Sequence, residues 1–217
     1  MKLRCLLLLP LAISAQAPAA GQPVVSFIPR GYYVLDEGRA TGDLNGDGRP
    51  DVALALGPVA EKAAPHAEIL PPRRLLVLLA APGGGYRLAV ESRRVVLGKN
   101  DGGMMGDPFQ GLDIQKGVLS VDHAGGSARR WGTTEKFRFQ QGDFYLIGRT
   151  RTQFWSMGEN CAGPQDYRAG DELVDENLVT GAFERRRVSD ECKVLENRKG
   201  RQPVRPLVRL SAYNPFP

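Results

Sequence analysis

Asp43, Asn45, Asp47 and Asp51 occupy positions 1, 3, 5 and 9 of the stretch Asp43-Leu44-Asn45-Gly46-Asp47-Gly48-Arg49-Pro50-Asp51, with glycines at positions 4 and 6. Oxygen-bearing side chains on alternate residues of a tight loop can converge on one point. That suits a hard cation such as Ca2+, which takes about 6–8 oxygen ligands at roughly 2.3–2.6 Å. Gly48 permits the sharp turn, and the backbone carbonyl of Arg49 supplies an uncharged ligand. A metal-free acidic turn is the simpler alternative, since Asn-Gly and Asp-Gly are ordinary turn dipeptides. Three carboxylates so close together repel, however, and a turn has no need of them at this spacing. Magnesium, which demands a rigid octahedron and keeps its water, fits less well. The expectation is a structural Ca2+ held by Asp43, Asn45, Asp47, Arg49 and Asp51.

Other candidates for chemistry are sparse. The chain has 2 histidines. His123 follows Asp122, close to Gly125-Gly126-Ser127, with Asp101, Asp107 and Asp113 nearby in sequence; His66 lies in a Pro- and Ala-rich insertion. No Gly-x-Ser-x-Gly, His-Glu-x-x-His or P-loop pattern is present. Gly102-Gly103-Met104-Met105-Gly106-Asp107-Pro108 reads either as a ligand pocket, with Met104, Asp107 and His123 at its wall, or as a tight turn whose methionines fill the core. Trp131 and Trp155 read as core or rim aromatics. Arg185-Arg186-Arg187 is interleaved with Glu184, Asp190 and Glu191, which describes a solvated face better than a phosphate-binding stripe.

These groups need a scaffold, and the first residues are not part of it. Residues 1–19 combine Lys2 and Arg4, an apolar run at 6–13 and small residues beyond, the layout of a cleaved secretory signal. Two small-x-small sites fit the cleavage, Ala15-Gln16-Ala17 and Ala17-Pro18-Ala19. Cys5 precedes the apolar run, so it does not fit a lipoprotein acceptor. No later segment approaches the roughly 20 apolar residues of a membrane helix. Without Lys2 and Arg4 the formal charge falls from +5 to +3, a weak basic excess that argues for no nucleic-acid partner. The exported part, 20–217, suits one domain. Its remaining cysteines, Cys161 and Cys192, read as a disulfide in an exported chain; a metal site is the weaker alternative, because no further Cys or His stands at ligand spacing.

The body is expected to be mainly β, with antiparallel sheets in a sandwich or partial propeller and little helix. Short apolar runs bounded by Gly, Pro, Asn and Asp place strands at 24–28, 32–35, 51–56, 75–80, 86–91, 95–97, 117–123, 134–140 and 143–152. Leu75-Leu76-Val77-Leu78-Leu79 lacks alternation and belongs in a strand buried on both faces. Gln141-Gly142 reads as a hairpin turn. Residues 58–72 read as a surface insertion with a helical turn at 59–63, residues 156–171 as a loop, and the Pro-rich tail at 202–217 as an edge strand.

Thr41-Gly42-Asp43 through Asp51-Val52-Ala53-Leu54, followed by Arg74-Leu75-Leu76-Val77-Leu78-Leu79 and Gly83-Gly84-Gly85-Tyr86-Arg87-Leu88, resembles the FG-GAP/VCBS class of calcium-loop β-repeats. The resemblance covers a unit at about 40–92. It implies side-chain ligation by Asp43, Asn45, Asp47 and Asp51, a carbonyl ligand from Arg49, and a loop that holds neighbouring strands in place. One copy cannot build a propeller of repeated calcium blades, so the family's adhesive role does not carry over. Residues 102–155 are similar to exported bacterial proteins with a single such loop. An EF-hand is excluded, because Leu54 stands where its bidentate Glu is required. The sequence thus points to a periplasmic or secreted calcium-binding module of the cell envelope, with an envelope protein or glycan as partner. The alternative is a periplasmic enzyme or enzyme inhibitor built on the 102–108 turn and His123.

Overall fold

Strands β2 (Asp51–Pro58) and β3 (Arg74–Ala80) carry nearly continuous apolar sequence, and burial on both faces is the consequence. Residues 20–63, 70–162 and 167–215 are described by this computed structural model; residues 1–19, expected to be a secretory signal, and His66 lie outside them. β2 and β3 form the middle of a four-stranded antiparallel sheet with β1 (Tyr32–Gly42) and β4 (Tyr86–Ser92) at its edges, in the order β1-β2-β3-β4. The chain then crosses to a seven-stranded antiparallel sheet. It comprises β5 (Phe109–Gln115), β6 (Val118–Gly126), β7 (Arg129–Gln140), β8 (Asp143–Trp155), β9 (Glu172–Asn177), β10 (Ala182–Val188) and β11 (Val194–Arg201), again ordered as a meander. The two sheets pack as a sandwich, and among the described residues no propeller is formed.

In the larger sheet, alternation decides which face is buried. Leu119 and Val121 on β6, Phe137 on β7, and Phe144 and Leu146 on β8 meet Ala53, Ala55, Leu75, Val77 and Leu79 from the smaller sheet. Each such Leu, Val or Phe contributes about 1.5–3 kcal/mol on burial. The opposite face of the smaller sheet holds Val52, Leu54, Leu56, Leu76 and Leu78. It is covered by Val24, Phe27 and Ile28.

Residues 24–28 are therefore not a strand. Val24–Phe27 is a 3-10 turn lying over the sheet, with Ser26 Oγ donating to the Pro23 carbonyl at 2.7 Å. Residues 95–97 are not a strand either, although Val95, Val96 and Leu97 are buried. The tail forms no edge strand. Its prolines cannot donate to a ladder, so it pairs with β8 only at the isolated Tyr145–Arg209 bridge, where Leu146 N donates to the Val208 carbonyl at 2.9 Å, and then turns in a 3-10 segment, Leu210–Ala212. That turn places Leu210 and Tyr213 in the core. The Gln141-Gly142 turn forms as expected, with φ of 52° and 82° suiting a tight hairpin. Helix α1 (Ala60–Ala63) falls within the insertion. Among the described residues no helix is long and apolar enough to cross a membrane.

Cys161 and Cys192 form a disulfide, with Cα atoms 5.4 Å apart. It ties the loop after β8 to the β10–β11 turn.

Candidate functional site

The acidic loop joins β1 to β2, anchored by the buried Leu44 side chain. Asp43 Oδ1 accepts N–H bonds from Gly46 at 2.7 Å and Asp47 at 3.2 Å, and Oδ2 accepts from Gly48 at 2.8 Å. Gly46 and Gly48 adopt φ of 77° and 79°, which the turn requires. Asn45 donates to Asp47 at 2.9 Å, and Arg49 donates to the same Asp47 oxygen at 2.6 Å. Asp51 is fully excluded from solvent. Its Oδ2 accepts from Leu44 N at 2.8 Å and its Oδ1 from Ala80 N at 2.8 Å, so one carboxylate joins the loop to the end of β3.

The electrostatics of the loop are uneven. The Arg49 backbone N–H and the Asn45 amide hold the Asp47 carboxyl below its ordinary pKa. Burial pushes Asp51 upward; the Ala80 and Leu44 N–H bonds oppose that, and the charges of Asp47 and Asp43 add to it. Among the described residues no three His, Cys, Asp or Glu side chains stand as a metal-ligating cluster. The carboxylates are turned instead onto N–H groups and Arg49. The chemistry of the donor set nevertheless fits a hard divalent ion. All the donors are oxygen, and three carboxylates against one ion-paired guanidinium leave a formal charge of −2.

A cavity of about 650 Å3 opens at the other end of the sandwich. Glu61, Arg73, Arg94, Leu97, Lys99 and Trp131 are among the residues that line it. At its floor Arg73 is almost wholly buried. Its guanidinium donates to Glu61 at 3.1 and 3.2 Å, to Asp107 at 2.7 and 2.5 Å, and to the Leu97 carbonyl at 3.2 Å. Burial works against the Arg73 charge, but the hydrogen bonds with Asp107 and Glu61 outweigh it and raise its pKa. Tyr33 donates to Glu61 Oε1 at 2.6 Å; burial and the neighbouring carboxylate raise the phenol's pKa well above its usual value.

Met104, Asp107 and His123 do not form one pocket. Met104 is 87% exposed, so it neither fills the core nor lines a cleft. Asp107 is committed to Arg73. The His123 imidazole is fully enclosed. Its Nε2 accepts from Leu97 N at 3.2 Å, and Nδ1 lies 3.8 Å from the buried Glu135 carboxylate, which also accepts from Tyr213 OH at 3.4 Å. Asp113 is exposed on β5 and Asp101 caps the turn at Gly98. His123, Asp107 and Asp113 therefore offer no converging nucleophile, base and orienting group. Trp131 lines the cavity, and Trp155 is a rim residue beside Arg129. The basic run is divided between faces: Arg185 stacks on Phe183 while its neighbour Arg186 stacks on Tyr167 and pairs with Asp171 at 3.6 Å.

Glu61 and Arg73 carry the cavity floor and have no local sequence signal. Glu61 lies in a segment that reads as a surface insertion, 12 residues from Arg73, and Asp107 is 34 residues from Arg73. Comparison with known proteins finds no family model, no curated protein and no solved structure that matches the chain.

Proposed function

We propose that the chain is an exported, calcium-binding β-domain that serves as a binding or structural module of the cell envelope. Its placement is periplasmic or secreted, and its partner an envelope protein or glycan. The observation that carries this reading is the placement of Asp51. One buried carboxylate at the first residue of β2 holds both the loop and the end of β3. A cation bound by Asp43, Asn45, Asp47, Asp51 and the Arg49 carbonyl would neutralise the loop and lock that junction. β2 and β3 run from the loop to the cavity end, a distance of roughly 20 Å at about 3.3 Å per residue. Calcium would thus be a clamp, remote from any ligand in the cavity.

Thermal unfolding tests the reading. Ca2+ in excess should raise the melting temperature, since a ligand at 100 times its Kd adds about 2.7 kcal/mol, and chelator should reverse the rise. Identical melts in Ca2+ and in chelator would remove the clamp.

A further inference from the structure

The geometry points to the outer edge of β11 as a docking surface for an extended acidic segment of a partner protein, which joins the seven-stranded sheet as a further strand. This rests on the reading of the domain as a binding module and names the chemistry of its partner.

The other sheet edges are engaged within the chain. β1 and β5 lie against each other, so closely that a Cβ at Gly42 would come within 2.5 Å of Ile114. β4 is bridged at Tyr86 by Gln22, with two backbone bonds of 2.8 Å, and the Leu210–Ala212 turn packs on it. β11 differs. Among the described residues its one strand neighbour is β10, and no backbone hydrogen bond of 194–201 leads elsewhere. A row of its N–H and C=O groups therefore faces water, which is the template that strand addition uses. The strand has 8 residues and no proline, and is longer than the usual length of about 5–6. All of its residues but Glu196 are exposed, so neither face is covered.

The template is also held in place. Cys192 in the β10–β11 turn is bonded to Cys161, and Asn197 donates to the Tyr167 hydroxyl at 3.2 Å. A strand fixed before binding loses little freedom when a partner adds to it.

Charge selects the occupant. Residues 182–209 hold 9 Lys or Arg against 4 Asp or Glu, a net +5, whereas residues 20–217 as a whole carry +3. Lys193 just before β11 and Arg201 at its end are exposed, and among the described residues neither has a carboxylate within salt-bridge distance. They stand about 26 Å apart at 3.3 Å per residue, so an extended segment of similar length with carboxylates towards both ends meets both. Val194 and Leu195, 47% and 48% exposed, offer apolar contact between them. Arg198 stacks over Phe183 and Lys199 pairs with Glu184 at 2.8 Å, both partners lying on β10, away from the open edge. A second copy of the chain fits less well, because β11 against β11 would set cations beside cations. The charges that bar self-pairing favour an acidic strand.

Titration calorimetry of the intact, disulfide-bonded chain tests this with a capped decapeptide alternating valine and glutamate, its lysine counterpart, and tripolyphosphate. The glutamate peptide should bind one-to-one, at least about tenfold more tightly than the lysine peptide, and should slow hydrogen exchange at the amides of 194–201. Tripolyphosphate, which cannot extend a sheet, should bind more weakly and leave those amides unprotected. Lys193→Gln combined with Arg201→Gln should weaken the glutamate peptide about fivefold or more, with the melting temperature and the Ca2+ titration unchanged. Equal affinity for the two peptides, a matching affinity for tripolyphosphate, unprotected amides in the peptide complex, or an unchanged affinity in the double variant would overturn the assignment. If Ca2+ still raises the melting temperature in that case, the edge assignment alone fails; if the peptide binds as described and Ca2+ has no effect, the loop assignment alone fails.

Discussion

The Arg73 guanidinium donates to both carboxylate oxygens of Glu61, at 3.1 and 3.2 Å, with each side chain almost entirely shielded from water. This pair fastens the α1 segment to the start of β3 and, through Asp107, to the chain entering β5.

Breaking the pair leaves the buried Glu61 carboxylate with the Tyr33 hydroxyl but without the guanidinium that balances its charge. Arg73→Met should lower the unfolding free energy by about 3–5 kcal/mol, read from urea melts. Because an apolar replacement of both partners is often tolerated, Arg73→Met with Glu61→Leu should recover most of that loss. A single variant as stable as the parent would show that the pair is not structural.

The Asp51 clamp separates two roles within one loop. Asp51→Ala leaves the N–H groups of Leu44 and Ala80 without acceptors, at about 1–3 kcal/mol each. It should destabilise the domain even in chelator. Asp47 lies at the solvent side of the loop, and Asp47→Ala should leave the chelator melt essentially unchanged while removing the response to Ca2+. Equal behaviour of the two variants in chelator would contradict this division.

Glu176 supplies a pH dependence. Burial alone would raise its pKa, but Arg149 at 2.6 Å, Gln202 at 3.1 Å and the Arg185 charge hold it below the ordinary 4.5. A carboxylate whose folded pKa is depressed stabilises the fold above its unfolded value, and that contribution is lost as pH falls through the folded value. Urea melts from neutral to acid pH should therefore show a loss below the ordinary 4.5. Glu176→Gln should flatten that part of the profile; an unaltered profile would assign the acid sensitivity elsewhere.

The disulfide gives a fourth expectation. Cys161 and Cys192 enclose a separation of 31 residues, and Cys161→Ser with Cys192→Ser should cost on the order of 3 kcal/mol through the unfolded state. The loss should concentrate in β9 to β11, read by hydrogen exchange, because the bridge joins the loop before β9 to the β10–β11 turn.

Sequence pattern was informative where local composition decides structure. The apolar run from Leu75 to Leu79 announces a doubly buried strand, and Gln141-Gly142 announces its hairpin. Val24–Phe27 misleads because an apolar run serves equally as a strand or as a cover; Pro23 and the Ser26 bond to it favour the 3-10 turn. β9, β10 and β11 escape notice because Glu, Asp and Arg occupy both of their faces and no apolar period marks them. Val95 to Leu97 packs like a strand, yet Leu97 N finds His123 in place of a ladder partner. The oxygen spacing of the Asp43–Asp51 stretch is visible in one dimension. The Glu61–Arg73–Asp107 floor exists only once β3, α1 and the β5 entry are brought together.

Calorimetric titration of chelator-treated protein with Ca2+ is the most direct measurement of the loop's role. One binding site is expected in the parent chain and none in Asp47→Ala. Heats that are the same in both proteins would contradict the calcium clamp.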